Sequence, residues 1–437
     1  MSIEWLTLLF FFSLLVFLLL GLPLAFVLGG VSVVFLYLTW GPEAFYMVAA
    51  QSWGAMNKFT LVAIPLFIFM AMLLERSGTA NDLYDMMYLW FGPVNGGLAI
   101  GTVVICAIFS AMCGISGAAV VSMGTIALPS MLKRNYDKFM AVGCINSGGG
   151  WGILIPPSVI MILYALISGE SVGKLFAGGV MPGLLLLVLV SSYIAIRCMI
   201  QPHLGPALPA EDRGDWPRKL KALKAVLLPI MIVLMVLGSI IGGITTPTEA
   251  AGMGVLGALI SAVVYRQLTW RLIAESCIRT YRLTGMIMWI LFGAYCFSAA
   301  YHGMGASRFI EDFMQFIPGG PWGTIIFIQI VIFLLAMVLD PAGIMMICVP
   351  IFLPVVKAYG FDPVWFGILF TINMEIGYMT PPFGFNLFYL KAIVPPSITM
   401  GDIYRSVIPF TIVESTGLAL VMIFPKIATW LPNVVFS

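Results

Sequence analysis

The chain has 437 residues, 61% of them hydrophobic and only 9% charged, with a formal net charge of +2. Soluble domains carry about 25% charged residues, so this composition, with a mean hydropathy of +1.07, excludes a soluble globular protein. The few basic residues are scattered through loops and form no nucleic-acid-binding patch.

Apolar runs close to the roughly 20 residues that a bilayer demands recur along the chain. The predicted fold class is therefore an all-α polytopic membrane protein. The start, Met1-Ser2-Ile3-Glu4-Trp5, has no basic segment, and the apolar stretch behind it is too long for a cleavable signal peptide. Residues 5–39 are almost uniformly apolar. One helix of that length, at about 1.5 Å per residue, overshoots the bilayer, so Gly21-Leu22-Pro23 is read as the break between two spans. A third span covers 60–75. Residues 79–91 mix Asp82, Tyr84, Asp85, Met86, Met87 and Trp90, a pattern suited to a helix lying in the membrane interface.

The segment 97–132 is apolar but interrupted by Cys113-Gly114-Ile115-Ser116-Gly117. It is read as a re-entrant hairpin, although two full spans give the same pattern. A span over 140–165, broken near 149–157, and another over 174–196 complete the first half. A basic stretch, 197–225, holds Arg197, Arg213, Arg218, Lys219, Lys221 and Lys224. The second half follows the same order. Its spans lie near 226–243, 249–264, 283–300, 365–390 and 404–424, with a hairpin near 322–356 interrupted at Asp340-Pro341-Ala342-Gly343.

Pro129, Gly152, Pro156 and Pro157 recur as Pro354, Gly377, Pro381 and Pro382, each displaced by 225 positions. Pro93 matches Pro318, Gly78 matches Gly303 and Asp137 matches Asp362 at the same displacement, and Pro23 matches Pro247 at 224. An ordered series of this kind argues for duplication: one repeat over 1–196, a linker over 197–225 and a second repeat over 226–437. The basic linker is predicted to be cytoplasmic. Five crossings per repeat, with each hairpin returning to its own side, make the repeats inverted and place both termini outside. In that topology sixteen of the basic residues fall on the cytoplasmic side and five outside, as the positive-inside rule requires.

Paired Gly/Pro interruptions in the two halves of a membrane protein point to a transporter's binding site. A broken membrane helix frees N–H and C=O groups that lipid cannot satisfy, so breaks face protein, water or ligand. Helix N-termini there can hold a carboxylate, and unwound carbonyls can hold a small cation. Ser110, Ser116, Asn146, Ser147, Ser158, Asn373, Thr380 and Asn386 surround the breaks, an oxygen-rich set that suits a hard monovalent ion rather than zinc or copper. Candidate substrate contacts are Ser116, Gly117, Asn146, Ser158, Thr380 and Asn386. Asp340 and Glu375 are the carboxylates nearest the breaks. Asp340 is read as a coupling group for a cation or proton, with an N-cap before Pro341 as the alternative. Glu375 either touches the site or faces a water-filled cavity, Glu414 is expected to pair locally, and Glu249 after Thr246-Pro247-Thr248 to cap a helix.

Enzymatic chemistry has little support. The two histidines, His203 and His302, are peripheral, and neither HExxH nor a P-loop is present. The seven cysteines form no CxxC pair and are expected to be small packing residues.

Gly-Ile-Leu-Ile-Pro-Pro-Ser at 152–158, Ser-Gly-Ala-Ala at 116–119, Asp340-Pro341 and Thr-Pro-Pro-Phe-Gly at 380–384 resemble the large membrane subunit, or DctM-type permease, of tripartite ATP-independent periplasmic (TRAP) transporters. The resemblance covers essentially the whole chain. It implies sodium-driven import of an organic acid across the bacterial inner membrane by an elevator motion. The implied partners are a separate small four-helix membrane subunit and a periplasmic substrate-binding protein. It also implies one sodium site around Ser110, Ser116, Gly152, Ile155 and Pro157, and a second around Asp340, Gly343, Gly377 and Thr380. Phe383 stands where the first repeat has Ser158, so a strictly symmetric substrate site is not expected. Proton coupling and a channel remain alternative readings, and the identity of the acid is not written in this chain.

Overall fold

The computed structural model describes residues 3–209, 211 and 213–436. Ala210 and Asp212 of the basic linker, and Met1, Ser2 and Ser437, lie outside the described residues. In the first half the helices are α1 (Ile3–Leu19), α2 (Leu24–Trp40), α3 (Ala44–Met56), α4 (Ala63–Glu75), α5 (Thr79–Phe91), α6 (Gly97–Cys113), α7 (Ser116–Lys133), α8 (Lys138–Gly150), α9 (Val159–Ser168) and α10 (Val172–Ile200). The second half has α11 (Trp216–Ala222), α12 (Lys224–Ile241), α13 (Pro247–Val264), α14 (Trp270–Gly303), α15 (Ala306–Gln315), α16 (Gly320–Ala336), α17 (Pro341–Ala358), α18 (Pro363–Tyr378), α19 (Phe385–Lys391), α20 (Met400–Ile423) and α21 (Lys426–Val435).

Helix ends follow local chemistry. Gly21 and Gly114 adopt positive φ, +80° and +64°, where a side chain would be strained. Asp137 caps α8 by accepting from Phe139 N and Met140 N, and its repeat mate Asp362 caps α18 by accepting from Val364 N and Trp365 N. Thr246 and Glu249 form the expected capping box at the start of α13. The sequence reading missed α3 and α21, and it trimmed α14 to its apolar part. The charged start of α14 is capped by Thr269, which accepts from Leu272 N, and it pairs with α4: Arg76 bonds Glu275, and Arg279 lies 3.7 Å from Glu75. All seven cysteines are free, and only Cys277 is exposed.

Contacts between the halves come in mirrored pairs, as a pseudo-two-fold relation demands. Helix α2 packs on α14 while α4 packs on α13; α7 packs on α19 while α17 packs on α9; α8 packs on α20 while α18 packs on α10. Two groups result: an outer frame of α1–α4 and α12–α14, and an inner core of α6–α10 with α16–α20. The short α5 and α15 join frame to core within each half.

Among the described residues seven helices are long and apolar enough to cross a bilayer alone, or up to nine if each sharply bent pair counts once. The ten crossings read from sequence include segments this length test passes over. These are α1, with 17 residues, α4, which is long enough only when joined to the bent α5, and the interrupted α8–α9 and α18–α19. The test instead admits α17, which is 78% buried inside the protein across its apolar window.

Candidate functional site

Each hairpin tip lies against the break of its own repeat. In the first half the approach is backbone to backbone. A Cβ at Gly152 would stand 2.5 Å from the Ile115 carbonyl carbon and 2.8 Å from Ser116 N, and one at Gly114 would stand 2.3 Å from Pro157 O. Glycine is what permits this contact. Ser110, one turn before the tip, is fully buried and its Oγ has no hydrogen-bond partner. Ser116, Gly152 and Pro157 are thus brought together at the tip, and Ser110 stands one turn back, its carbonyl accepting from Gly114 N at 2.9 Å. Their orphan hydroxyl and neighbouring carbonyls form an oxygen-only set fit for a hard monovalent cation. Ile155 lies at the rim, where with Pro156 and the frame residues Val233 and Leu237 it lines an apolar cavity of about 240 Å³.

The second half is arranged differently. A Cβ at Gly377 would stand 2.3 Å from Ala336 Cβ, so the break meets the end of α16 rather than the residue that starts α17. Asp340 caps α17, its Oδ2 accepting from Gly343 N at 3.1 Å with Pro341 in the first turn. The coupling role weighed first for Asp340 therefore has to coexist with a cap, because the chain turns sharply there and leaves amides needing an acceptor. Thr380 Oγ1 donates to Ile376 O at 2.6 Å. Gly343 faces the frame, its Cβ position 2.0 Å from Leu24 Cδ2.

The six candidate substrate contacts separate by accessibility. Asn146, Ser158 and Asn386 are fully buried and Ser116 nearly so, while Gly117 and Thr380 are half-buried. The Ser158 hydroxyl is used locally, donating to Ile153 O at 2.6 Å and accepting from Met161 N. Gly117 lies beneath the Tyr389 ring, with 2.9 Å from its Cβ position to Tyr389 Cε2. Glu375 is buried in the core.

Glu414 corrects the sequence reading. It does not pair locally; its Oε1 accepts from Ser147 Oγ and, at 3.1 Å, from Trp151 Nε1. A contact across more than 260 positions leaves no local signal, although a carboxylate in the last long span was itself a cue. The link of Asn373 Nδ2 to Gln329 O and Oε1, at 2.6 and 2.8 Å, was missed for the same reason. Among the described residues no three His, Cys, Asp or Glu side chains gather as a metal centre.

Two interrupted helices and two hairpins, one of each per repeat, are a transporter's arrangement. Residues 11–427 match the family described as "Tripartite ATP-independent periplasmic transporter, DctM component". The chain belongs to the DctM family. It is 33% identical to the C4-dicarboxylate TRAP transporter large permease protein DctM of Pseudomonas aeruginosa over 92% of this chain and 93% of that one. The ectoine TRAP transporter large permease protein TeaC of Halomonas elongata is 32% identical, covering 96% and 97% of the two chains. A crystal structure of the Alcanivorax borkumensis YdaH transporter superposes with a TM-score of 0.62 at 14% identity over 98% of each chain, a likeness of fold. As a DctM component the chain is the large permease of a multi-pass membrane transporter, one part of a tripartite system.

Proposed function

We propose that this DctM chain imports a carboxylate-bearing organic solute across the bacterial inner membrane, coupled to sodium, with a periplasmic binding protein delivering the solute and a small membrane subunit bracing the frame. The observation that carries the reading is the meeting of hairpin tip and break, Gly114 on Pro157 and Ser116 on Gly152, with the unpartnered, buried Ser110 hydroxyl one turn away. Ser110, Ser116, Gly152, Ile155 and Pro157 would hold one sodium ion; Asp340, Gly343, Gly377 and Thr380 would hold another. Half-buried Gly117 and Thr380 are the first points a solute reaches, and the enclosed Asn146, Ser158 and Asn386 come into reach if the core moves. Sliding of the core along the frame, with both termini and the outer rim of the second hairpin on the periplasmic side, is the motion proposed. Dicarboxylates and ectoine, named for the relatives, share a carboxylate that helix N-termini at the breaks can receive.

The test needs no substrate. The purified chain is melted in detergent across a sodium titration, with choline holding ionic strength constant. A ligand bound only by the folded state adds RT ln(1 + [L]/Kd), about 2.7 kcal/mol at a hundredfold excess over Kd. A saturable rise in Tm with sodium, absent with potassium and reduced in Asp340→Ala and Thr380→Ala, is the expected result. Coincident sodium and potassium curves would remove the sodium reading.

A further inference from the structure

Four core helices, α8, α18, α19 and α20, enclose a polar cluster that neither sodium site uses. Glu375, Glu414, Asn146 and Asn386 are each at most 2% exposed. Both Glu375 oxygens, Glu414 Oε2 and the amide oxygen and nitrogen of both asparagines have no hydrogen-bond donor or acceptor among the described residues. Glu375 and Asn386 meet at Gly150, and Glu414 reaches the neighbouring Ser147 and Trp151 of the same helix end. A Cβ at Gly150 would stand 3.3 Å from Glu375 Oε1 and 3.3 Å from Asn386 Nδ2. Asn146 lies one turn before Gly150 on the same face of α8. Gly150 is also the repeat mate of Glu375, at the 225 displacement, so a contact between them places the cluster on the pseudo-two-fold axis of the core.

The two carboxyls are in direct interaction with each other. Glu414 is otherwise held by Ser147 and Trp151. The titratable residues of the surrounding elements are engaged elsewhere. Lys138 pairs with Asp402 at 2.7 Å, Lys391 donates to Ile398 O and Cys144 to Ala141 O. Tyr193 edges onto Phe410, Tyr378 stacks on Phe385 and Tyr389 covers Gly117. Two acceptor-only carboxylates in contact repel and leave their lone pairs empty. Buried charge of this kind is retained when a positive charge pairs with it.

We propose that Glu375 and Glu414, with the amide oxygens of Asn146 and Asn386, form a third site for a hard monovalent cation in the core of this permease. The occupant is one sodium ion, held by the unpartnered oxygens of the two carboxylates and the two amides. Binding is a property of the chain alone; only its use in transport rests on the function proposed above.

Wild type, Glu375→Gln, Glu414→Gln and the double variant are melted across a sodium titration, with choline or potassium holding ionic strength constant. The expected result is a saturable, sodium-selective rise in Tm that is halved or more by Glu375→Gln and remains in Asp340→Ala. Should the double variant not fold, infrared spectra of the wild type supply the second reading: a carboxylate stretching band that shifts on adding sodium and not on adding potassium. A sodium effect unchanged in both glutamine variants, or no sodium-induced band shift, would overturn the site. A sodium effect erased by Asp340→Ala and Thr380→Ala but untouched by both glutamines would keep the sodium-coupled function and remove this proposal; the reverse pattern would do the opposite.

Discussion

The two breaks descend from one repeat and have diverged in how they close. The first is sealed: Trp151, Leu154 and Ser158 are fully buried, α8 stops at Gly150, and a short 3-10 turn leads into the Pro-Pro pair. In the second, α18 runs on to Tyr378 and the loop beyond it opens outward, with Phe383 53% exposed. Their supports differ in kind. Gly148 lets α8 approach α6 closely, its Cβ position 2.9 Å from Cys106 Cβ, whereas its mate Asn373 bridges to Gln329 by hydrogen bonds. Ile115 precedes α7 without a capping side chain, while its mate Asp340 caps α17. Duplication thus kept the backbone path and exchanged the chemistry position by position, a polar contact in one repeat standing where its mate has only packing.

Substitutions can break this contrast at several points. Gly152→Ala drives a methyl into the Ile115 backbone, which cannot yield as a side chain tip would. Overpacking of this kind costs about 1–3 kcal/mol, and thermal melting should show the largest loss of the series. Trp151→Phe keeps most of the volume but removes the donor to Glu414. A buried acceptor losing one partner predicts about 1–2 kcal/mol. The mate of Trp151, Ile376, makes no such bond, so Ile376→Val should cost about 0.5–1.5 kcal/mol. If the two substitutions cost the same, the polar asymmetry carries little weight.

Asp340 separates capping from coupling. Asp340→Ala should lower stability by about 1 kcal/mol through the lost cap. Asp340→Asn retains a cap but not the charge, so it should melt close to wild type while sodium-dependent uptake falls. Uptake preserved in Asp340→Asn would assign the residue to the cap alone. The smallest effect is expected at the exposed loop. Phe383→Ser, which restores the residue found at 158, should shift stability by no more than about 0.5 kcal/mol; a large loss would mean that the second break is closed by a surface this fold leaves open.

Much of the framework was legible in the chain. Apolar run length dictates bilayer-spanning helices because lipid accepts no unsatisfied backbone. Glycine and proline mark where those helices stop, so Gly114, the Pro-Pro pairs and Asp340-Pro341 located the interruptions without coordinates. Amphipathic α5 was readable from its mixed side chains. Helix α3 was not, since Gln51 and Ser52 dilute its apolar pattern, nor was the start of α14, where Arg271, Glu275, Arg279 and Arg282 hide the helix from a reading by apolar runs.

By itself, then, the sequence determined the membrane class, the duplicated order of elements and the places where helices break, because those follow from local hydrophobicity and backbone chemistry. Only the tertiary structure decided which interrupted helix meets which hairpin, which polar groups are enclosed, and that Glu414 reaches Ser147 and Trp151 while facing Glu375. These are contacts between residues far apart in the chain, selected by packing of the two repeats about their shared axis, and no local pattern encodes them.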